Sequence, residues 1–327
     1  MLFRSNDTAT TEIYTIQHTL SLHDALPFSA SAALLTHVAC FPEPEAPMAT
    51  QQGAPAPAVA RDDAAAEKLG WRLGAQAWTF RDRTAFEAIA TAHRLGLKYI
   101  ELYPGQPLAP DMKDAKVGPE MGEKALAALK KKLADEQVKA VSFGVCDLPK
   151  DEAVARKTFE FAKALGLENL ASEPAPEALD VVSKLADEFQ IKVAFHNHPK
   201  GHSRYWEPQV VLDAVKGRSA KLGACADTGH WTRSGLKPVD CLKQLEGRVF
   251  ELHFKDLGEF AKQDAADVPW GSGKSDARGI LAELKRQGFQ GLINVEYEEG
   301  RGAALEQDVA KCIAFFDSTA RELSAGH

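Results

Sequence analysis

Six short stretches of this chain run from apolar residues into an ionisable side chain. They are Ile100-Glu101-Leu102-Tyr103, Ala171-Ser172-Glu173-Pro174, Phe195-His196-Asn197-His198-Pro199, Ala226-Asp227-Thr228-Gly229-His230-Trp231, Leu252-His253-Phe254-Lys255-Asp256 and Val295-Glu296-Tyr297. Such groups do not belong in a packed core unless something compensates them. Carboxylates a few ångströms apart raise one another's pKa, and a divalent cation between them removes that penalty. Carboxylates mixed with imidazole suit Mn²⁺, Mg²⁺, Co²⁺ or Zn²⁺, and an oxygen-rich majority leans towards Mn²⁺ or Mg²⁺. No thiolate is placed to join them, which speaks against structural zinc.

These groups act together only if the fold brings their ends to one place. From Trp71 onward, short β-rich runs alternate with longer amphipathic ones, eight pairs in all. Strands are predicted at Leu73–Thr79, Lys98–Tyr103, Lys139–Val145, Asn169–Ser172, Lys192–Asn197, Lys221–Ala226, Val249–Phe254 and Leu292–Tyr297. Helices are predicted between them, among others at Ala85–Leu95, Glu123–Glu136, Glu152–Leu165, Pro176–Phe189 and Ala277–Gln287. In Glu152–Leu165, the residues Val154, Phe159, Ala162 and Leu165 approximate one apolar face. Gly96, Gly166 and Gly288 each follow a helix, where a left-handed cap residue is wanted. Eight such pairs predict an α/β fold, a single (β/α)8 TIM barrel over residues 71–327. An open doubly wound sheet would carry a Gly-rich phosphate turn after an early strand, and no G-x-G-x-x-G stands in that context. Function in a barrel lies at the C-terminal strand ends. Six of the eight predicted strands carry their ionisable groups there.

The strand-end Glu173, Asp-x-x-His at Asp227–His230, Leu-His-x-Lys-Asp at Leu252–Asp256 and Val-Glu-Tyr at Val295–Tyr297 come in that order, each closing a predicted strand. This pattern resembles the xylose isomerase-like, or sugar phosphate isomerase/epimerase, superfamily, from Leu73 to about Phe316. The resemblance implies one divalent cation, Mn²⁺ first, held by Glu173, Asp227, His253 and Glu296. It implies a carbohydrate substrate contacted by His230 and His198. It also implies that Glu173 and Glu296 serve as base and acid around a cis-enediolate. Proton return to the other face of the same carbon gives epimerisation, and return to the neighbouring carbon gives isomerisation. Expulsion of a β-hydroxyl gives dehydration. The expected protein is a metal-dependent sugar isomerase or epimerase; the second reading is a lyase or dehydratase on an inosose or 3-keto-glycoside.

Other residues carry open alternatives. His196 and His198 alternate along a strand, so one faces the interior, and His198 is expected. Lys255 approaches a substrate oxygen or pairs with Asp256. Glu101 reaches the substrate pocket or serves at the surface. Trp78, Phe80 and Trp231 wall the pocket or pack the core. The Gly-rich loop Asp267–Gly273 admits a substrate or phosphate, or is a plain turn.

The chain has 327 residues, is 45% hydrophobic and 26% charged, and carries a formal charge of −7. That balance gives no footprint for a phosphate backbone, so nucleic acid is not an expected partner and the DNA-repair branch of the superfamily is disfavoured. A non-catalytic sugar-binding module would have lost a ligand, and none is missing. No apolar run is long enough for a transmembrane span. The five cysteines lack metal-knuckle spacing and read as buried free thiols. Residues 1–70 form a separate N-terminal extension. Within it, residues 2–28 resemble translated sequencing-adapter DNA, and Ser29–Cys40 with the Ala/Pro-rich stretch behind it resembles a signal remnant and linker. Export to the periplasm is slightly favoured over a cytoplasmic location on that basis, and pairing into a homodimer is left open.

Overall fold

The computed structural model describes residues 59–112 and 114–326. The adapter-like stretch, the apolar segment with Cys40, and the linker as far as residue 58 lie outside the described residues, as does the export reading built on them.

The barrel strands are β1 (Trp71–Gln76), β2 (Tyr99–Leu102), β3 (Lys139–Cys146), β4 (Asn169–Ser172), β5 (Lys192–His196), β6 (Leu222–Asp227) and β7 (Val249–Phe254). Two short strands follow, β8 (Asp256–Leu257) and β9 (Asp267–Val268), paired antiparallel outside the barrel. The last barrel strand is β10 (Gly291–Val295). Every barrel pairing is parallel, and β1 pairs with both β2 and β10, so the ring closes. The protein is a TIM barrel, as the strand–helix rhythm predicts. Among the described residues, no helix is long and apolar enough to cross a membrane.

Helices form where expected, with ends that have local causes. Thr84 and Glu87 make a reciprocal capping box at the start of Ala85–Arg94. Asp151 caps Glu152–Leu165, and Gly166 ends it at a φ of 72°. On that helix Phe159 and Ala162 are buried as predicted, but Val154 is 51% exposed, and Ala155 and Phe161 complete the inner face instead. Residues 59–70, read from sequence as extension, belong to the outer layer of the barrel. Arg61 donates to both carboxylate oxygens of Asp317 at 3.0 and 2.6 Å, and Trp71 packs against Phe316 of the long final helix Gly302–Ala325.

Two predicted strands, the first and the last, stop two or three residues early. β1 ends at Gln76 because the Gln76 side chain accepts from Trp78 N at 2.7 Å and turns the chain into a short 3-10 helix, Ala77–Phe80. β10 ends at Val295, where Thr79 takes over. Its hydroxyl donates to Val295 O at 3.2 Å and accepts from Tyr297 N at 3.1 Å. Glu296 therefore stands just past the ladder. The described cysteines Cys146, Cys225, Cys241 and Cys312 are buried and free.

Inside the barrel, Glu251 is fully buried; Ser142 Oγ and Asn169 Nδ2 each donate to it at 3.0 Å. Burial, reinforced by the Glu101 carboxylate, pushes the Glu251 carboxyl up to about 8. The folded protein thus keeps a proton that the unfolded chain releases near pH 4.5, and stability falls as pH rises from there to about 8. Glu251→Gln keeps the shape without that proton, its oxygen accepting from Asn169 Nδ2 and its amide donating to the Ser142 hydroxyl in place of accepting from it. Urea titrations should find the variant close to wild type at pH 4.5 and more stable by on the order of 2 kcal/mol at pH 8.5. Parallel stability curves at all pH values would refute the assignment.

Candidate metal and substrate site

Asp227 serves two purposes. As the last residue of β6 it caps the helix Thr228–Arg233, its Oδ1 accepting from His230 N at 2.7 Å. Its other oxygen faces inward, 2.9 Å from Lys255 Nζ, 3.6 Å from His196 Nε2 and 3.5 Å from His230 Nε2. Asn197 holds the carboxylate's backbone, donating to Asp227 O and accepting from Asp227 N, both at 2.9 Å. Thr228 ties β6 to β7 in the same way, donating to Lys255 O at 2.7 Å and accepting from Lys255 N at 2.9 Å. A Cβ on Gly229 would lie 2.7 Å from Lys255 Cβ, so only glycine lets that lysine pack here.

His196, Asp227, His253 and Glu296, all buried, each offer a ligand atom, and those atoms lie within 4.8 Å of one another. Three of the four expected ligands are in this group; the fourth member is His196. Glu173 belongs to a second, overlapping group with His196 and His198. Both imidazoles reach its Oε1, His196 Nδ1 at 3.0 Å and His198 Nδ1 in a shorter contact. The parity argument for His198 alone fails because β5 ends at His196. The chain turns after it, and both rings converge on one carboxylate.

The donor set fits a divalent cation. His253 Nε2 donates to Glu101 Oε2 at 2.8 Å, Glu101 and Glu296 hold the imidazole well above its usual range despite its burial, and Nδ1 lies 3.0 Å from Glu296 Oε2. Both atoms are buried without a hydrogen-bond partner. A divalent cation would displace the Nδ1 proton and take that nitrogen and the Glu296 carboxylate as ligands. Glu101 is consequently not a substrate contact. It is fully buried, and Asn294 Nδ2 donates to its Oε2 at 2.7 Å while His253 separates it from the cavity. A carboxylate behind a metal-ligating imidazole fixes its tautomer and raises its basicity.

Lys255 does not pair with Asp256. Its ammonium, 1% exposed, lies 2.9 Å from Asp227 Oδ2 and 3.2 Å from Glu296 Oε2. Asp256 instead holds the Gly-rich loop, accepting from the backbone N–H groups of Gly271, Gly273 and Ser275 at 2.9–3.0 Å. Those amides wrap an internal carboxylate, so the loop is not a phosphate cradle.

Burial pushes the carboxylates up, but their partners win. The Nε2–H of His230, 3.5 Å away, and the cations Lys255 and His196 hold Asp227 well below the usual range. Lys255 and His253 do the same for Glu296, and His196 and His198 for Glu173. Lys255 stays protonated, because Asp227 and Glu296 outweigh its desolvation. His230 is pushed down by burial and by the neighbouring cations, so it is neutral. Arg233 Nη1 lies 3.2 Å from His230 Nδ1. An arginine only donates, so Nδ1 accepts and His230 presents Nε2–H to the site.

Above the cluster is a cavity of about 340 Å³, lined among others by His196, His198, His230, His253, Glu296 and Trp78. The expected contacts His198 and His230 line it. Trp78 is 41% exposed at its mouth, whereas Phe80 and Trp231 are core residues. Sequence reasoning missed His196 and Arg233. The first was legible as the last residue of a β-rich run, the second as a helical neighbour three residues after His230.

A closed parallel barrel with a cation-ready cluster at the C-terminal strand ends defines the class. Residues 89–319 match the family model of the xylose isomerase-like TIM barrel, and the chain belongs to that family. A solved structure of an uncharacterised protein from Parabacteroides distasonis is 32% identical, with a TM-score of 0.63, covering 76% of this chain and 99% of that one. An IolI protein solved with a bound zinc atom is 18% identical with a TM-score of 0.58, covering 77% of this chain and 98% of that one, a likeness of fold. The inosose dehydratase of Mesomycoplasma hyopneumoniae strain 7448 is 27% identical over 161 residues, 44% of this chain and 51% of that protein. The match thus spans about half the length of that curated relative.

Glu101→Gln should weaken Mn²⁺ and Zn²⁺ binding by about 10–100-fold, read by competition with a chromophoric chelator. The melting temperature of the metal-free protein serves as the folding control. Unchanged affinity would show that the carboxylate does not support His253 as a ligand.

Proposed function

We propose that this protein is a divalent-metal-dependent sugar isomerase or epimerase, with Mn²⁺ as the preferred ion. The observation that carries the reading is the convergence of His196, Asp227, His253 and Glu296 beneath a cavity of about 340 Å³ at the barrel mouth. These four residues would hold the ion, which supplies positive charge where a hydroxy-carbonyl substrate becomes an enediolate. The remaining work belongs to side chains. Glu296, ionised on one wall of the cavity, takes the proton next to the carbonyl. Glu173 does not line the cavity; His198 stands between, hydrogen-bonded to it. In this reading Glu173 orients His198, and the pair returns the proton from the other side. His230 Nε2–H donates to a substrate oxygen, and Lys255 keeps Asp227 and Glu296 ionised.

The similarity to an inosose dehydratase favours a second reading, a lyase that uses the same proton abstraction and then expels a β-hydroxyl. Incubation in D₂O with ketoses, inososes and 3-keto-glucosides, with Mn²⁺ or chelator, separates the two. Metal-dependent deuterium uptake without loss of mass beyond exchange supports the isomerase; loss of water or aglycone supports the lyase. No exchange into any of these compounds would sink both. Glu296→Gln and His198→Asn should each lower kcat by about 10²–10⁴-fold, the usual range for a lost general acid or base.

A further inference from the structure

Next to the central cavity, and sharing His198 with it, lies a second cleft of about 400 Å³. One wall is the segment after β5, with His202. The other is the turn between β8 and β9, with Gln263 and Asp264. Gln263 Nε2 reaches across to Lys200 O at 3.5 Å. Arg233 and Glu299 complete the lining. We propose that this cleft is a second carbohydrate subsite, so that the substrate is a glycoside or oligosaccharide rather than a lone or phosphorylated monosaccharide. The proposal deepens the sugar-enzyme reading above and rests on it.

Size and charge argue for it. The central cavity alone lies near the lower end of ligand-pocket volumes, roughly 300–1,000 Å³, and the two spaces together reach the middle of that range. Arg233 is the one arginine or lysine in the lining of the second cleft, and its donors are committed. Nε and Nη2 donate to Ala265 O at 3.2 and 3.1 Å, and Nη2 also to Asp267 at 3.0 Å. Nη1 donates to His230 Nδ1 at 3.2 Å and to Glu298 at 3.4 Å. A guanidinium has five N–H groups, and these contacts use all of them. A phosphate entering the cleft would find no free arginine donor and would face the Asp264 and Glu299 carboxylates. What remains is a set of imidazole, amide and carboxylate groups that alternate as donors and acceptors, the complement of neutral hydroxyls.

The experiment titrates Mn²⁺-loaded full-length protein with D-fructose, fructose 6-phosphate and isomaltulose, which differ only in what sits on O6. Isomaltulose should bind about 10-fold tighter than the other two, the worth of one or two hydrogen bonds. The double variant Gln263→Ala/Asp264→Ala, in an exposed turn, should erase that advantage and leave fructose binding unchanged. Preference for fructose 6-phosphate, equal binding of all three sugars, or a variant that weakens all three alike overturns the proposal while the sugar site stands. Binding of none of them, with or without metal, overturns the sugar-site reading itself, and the subsite with it.

Discussion

Everything at the mouth of this barrel depends on burying Asp227 and Glu296 beside a single ammonium. Both carboxylates are all but removed from water, and Lys255, 1% exposed, is the cation they share. A lone charge in such a place costs several kcal/mol, so each member is held by the others. His253 shares the load: its Nδ1 lies 3.0 Å from Glu296 Oε2, and Glu101 and Glu296 hold its ring well above the usual imidazole range. As protein alone the arrangement keeps its balance with protons on His253 and His196, which a divalent cation would displace. The four ligand atoms gather on the side where the cavity opens, which is where such a cation would sit.

Rigid support for that arrangement comes from side chains that replace ladder hydrogen bonds where the strands end. Thr79 joins β1 to β10, Asn197 joins β5 to β6, and Thr228 joins β6 to β7. Gln76 and Ser172 act similarly on β3, donating to Gly144 O at 2.8 Å and Cys146 O at 2.7 Å. Strands twist apart at a barrel mouth, and without these links the site residues would ride on separate, mobile ends. Precise sites need such second supports. The motif residues that do no chemistry are thus explained: Asn197, Thr228 and Gly229 build the frame, and Asp256 gathers the loop beyond it.

This division of labour also explains what was legible in the sequence. Asp227, His253 and Glu296 stand out because each interrupts an apolar strand at its end, and a strand end has few structural uses for a charge. Glu101 looks the same in sequence but points to a different use. Its partner His253 lies 152 positions away, so nothing local distinguishes a carboxylate that binds from one that backs a ligand. His196 was passed over because alternation was carried past the point where the strand stops. The inclusion of residues 59–70 in the barrel rests on Arg61 and Asp317, 256 positions apart, a contact that no periodicity announces. The cap and turn signals at Gly166 and the Thr84/Glu87 box were readable because their causes lie within a few residues.

What lies behind each imidazole decides what it shows to the cavity. His253 has Glu101 at its back, so Nδ1 is the nitrogen it turns inward, the one that would serve as a ligand. His230 has Arg233 at its back, so it turns an N–H inward and acts as a donor. His198 rests on Glu173, which fixes the ring's orientation at the cavity wall. The same side chain thus takes three roles within one pocket, and the residue out of contact with substrate makes the choice. A relative that kept all three histidines but changed Glu101, Arg233 or Glu173 would keep the appearance of this site and lose its chemistry.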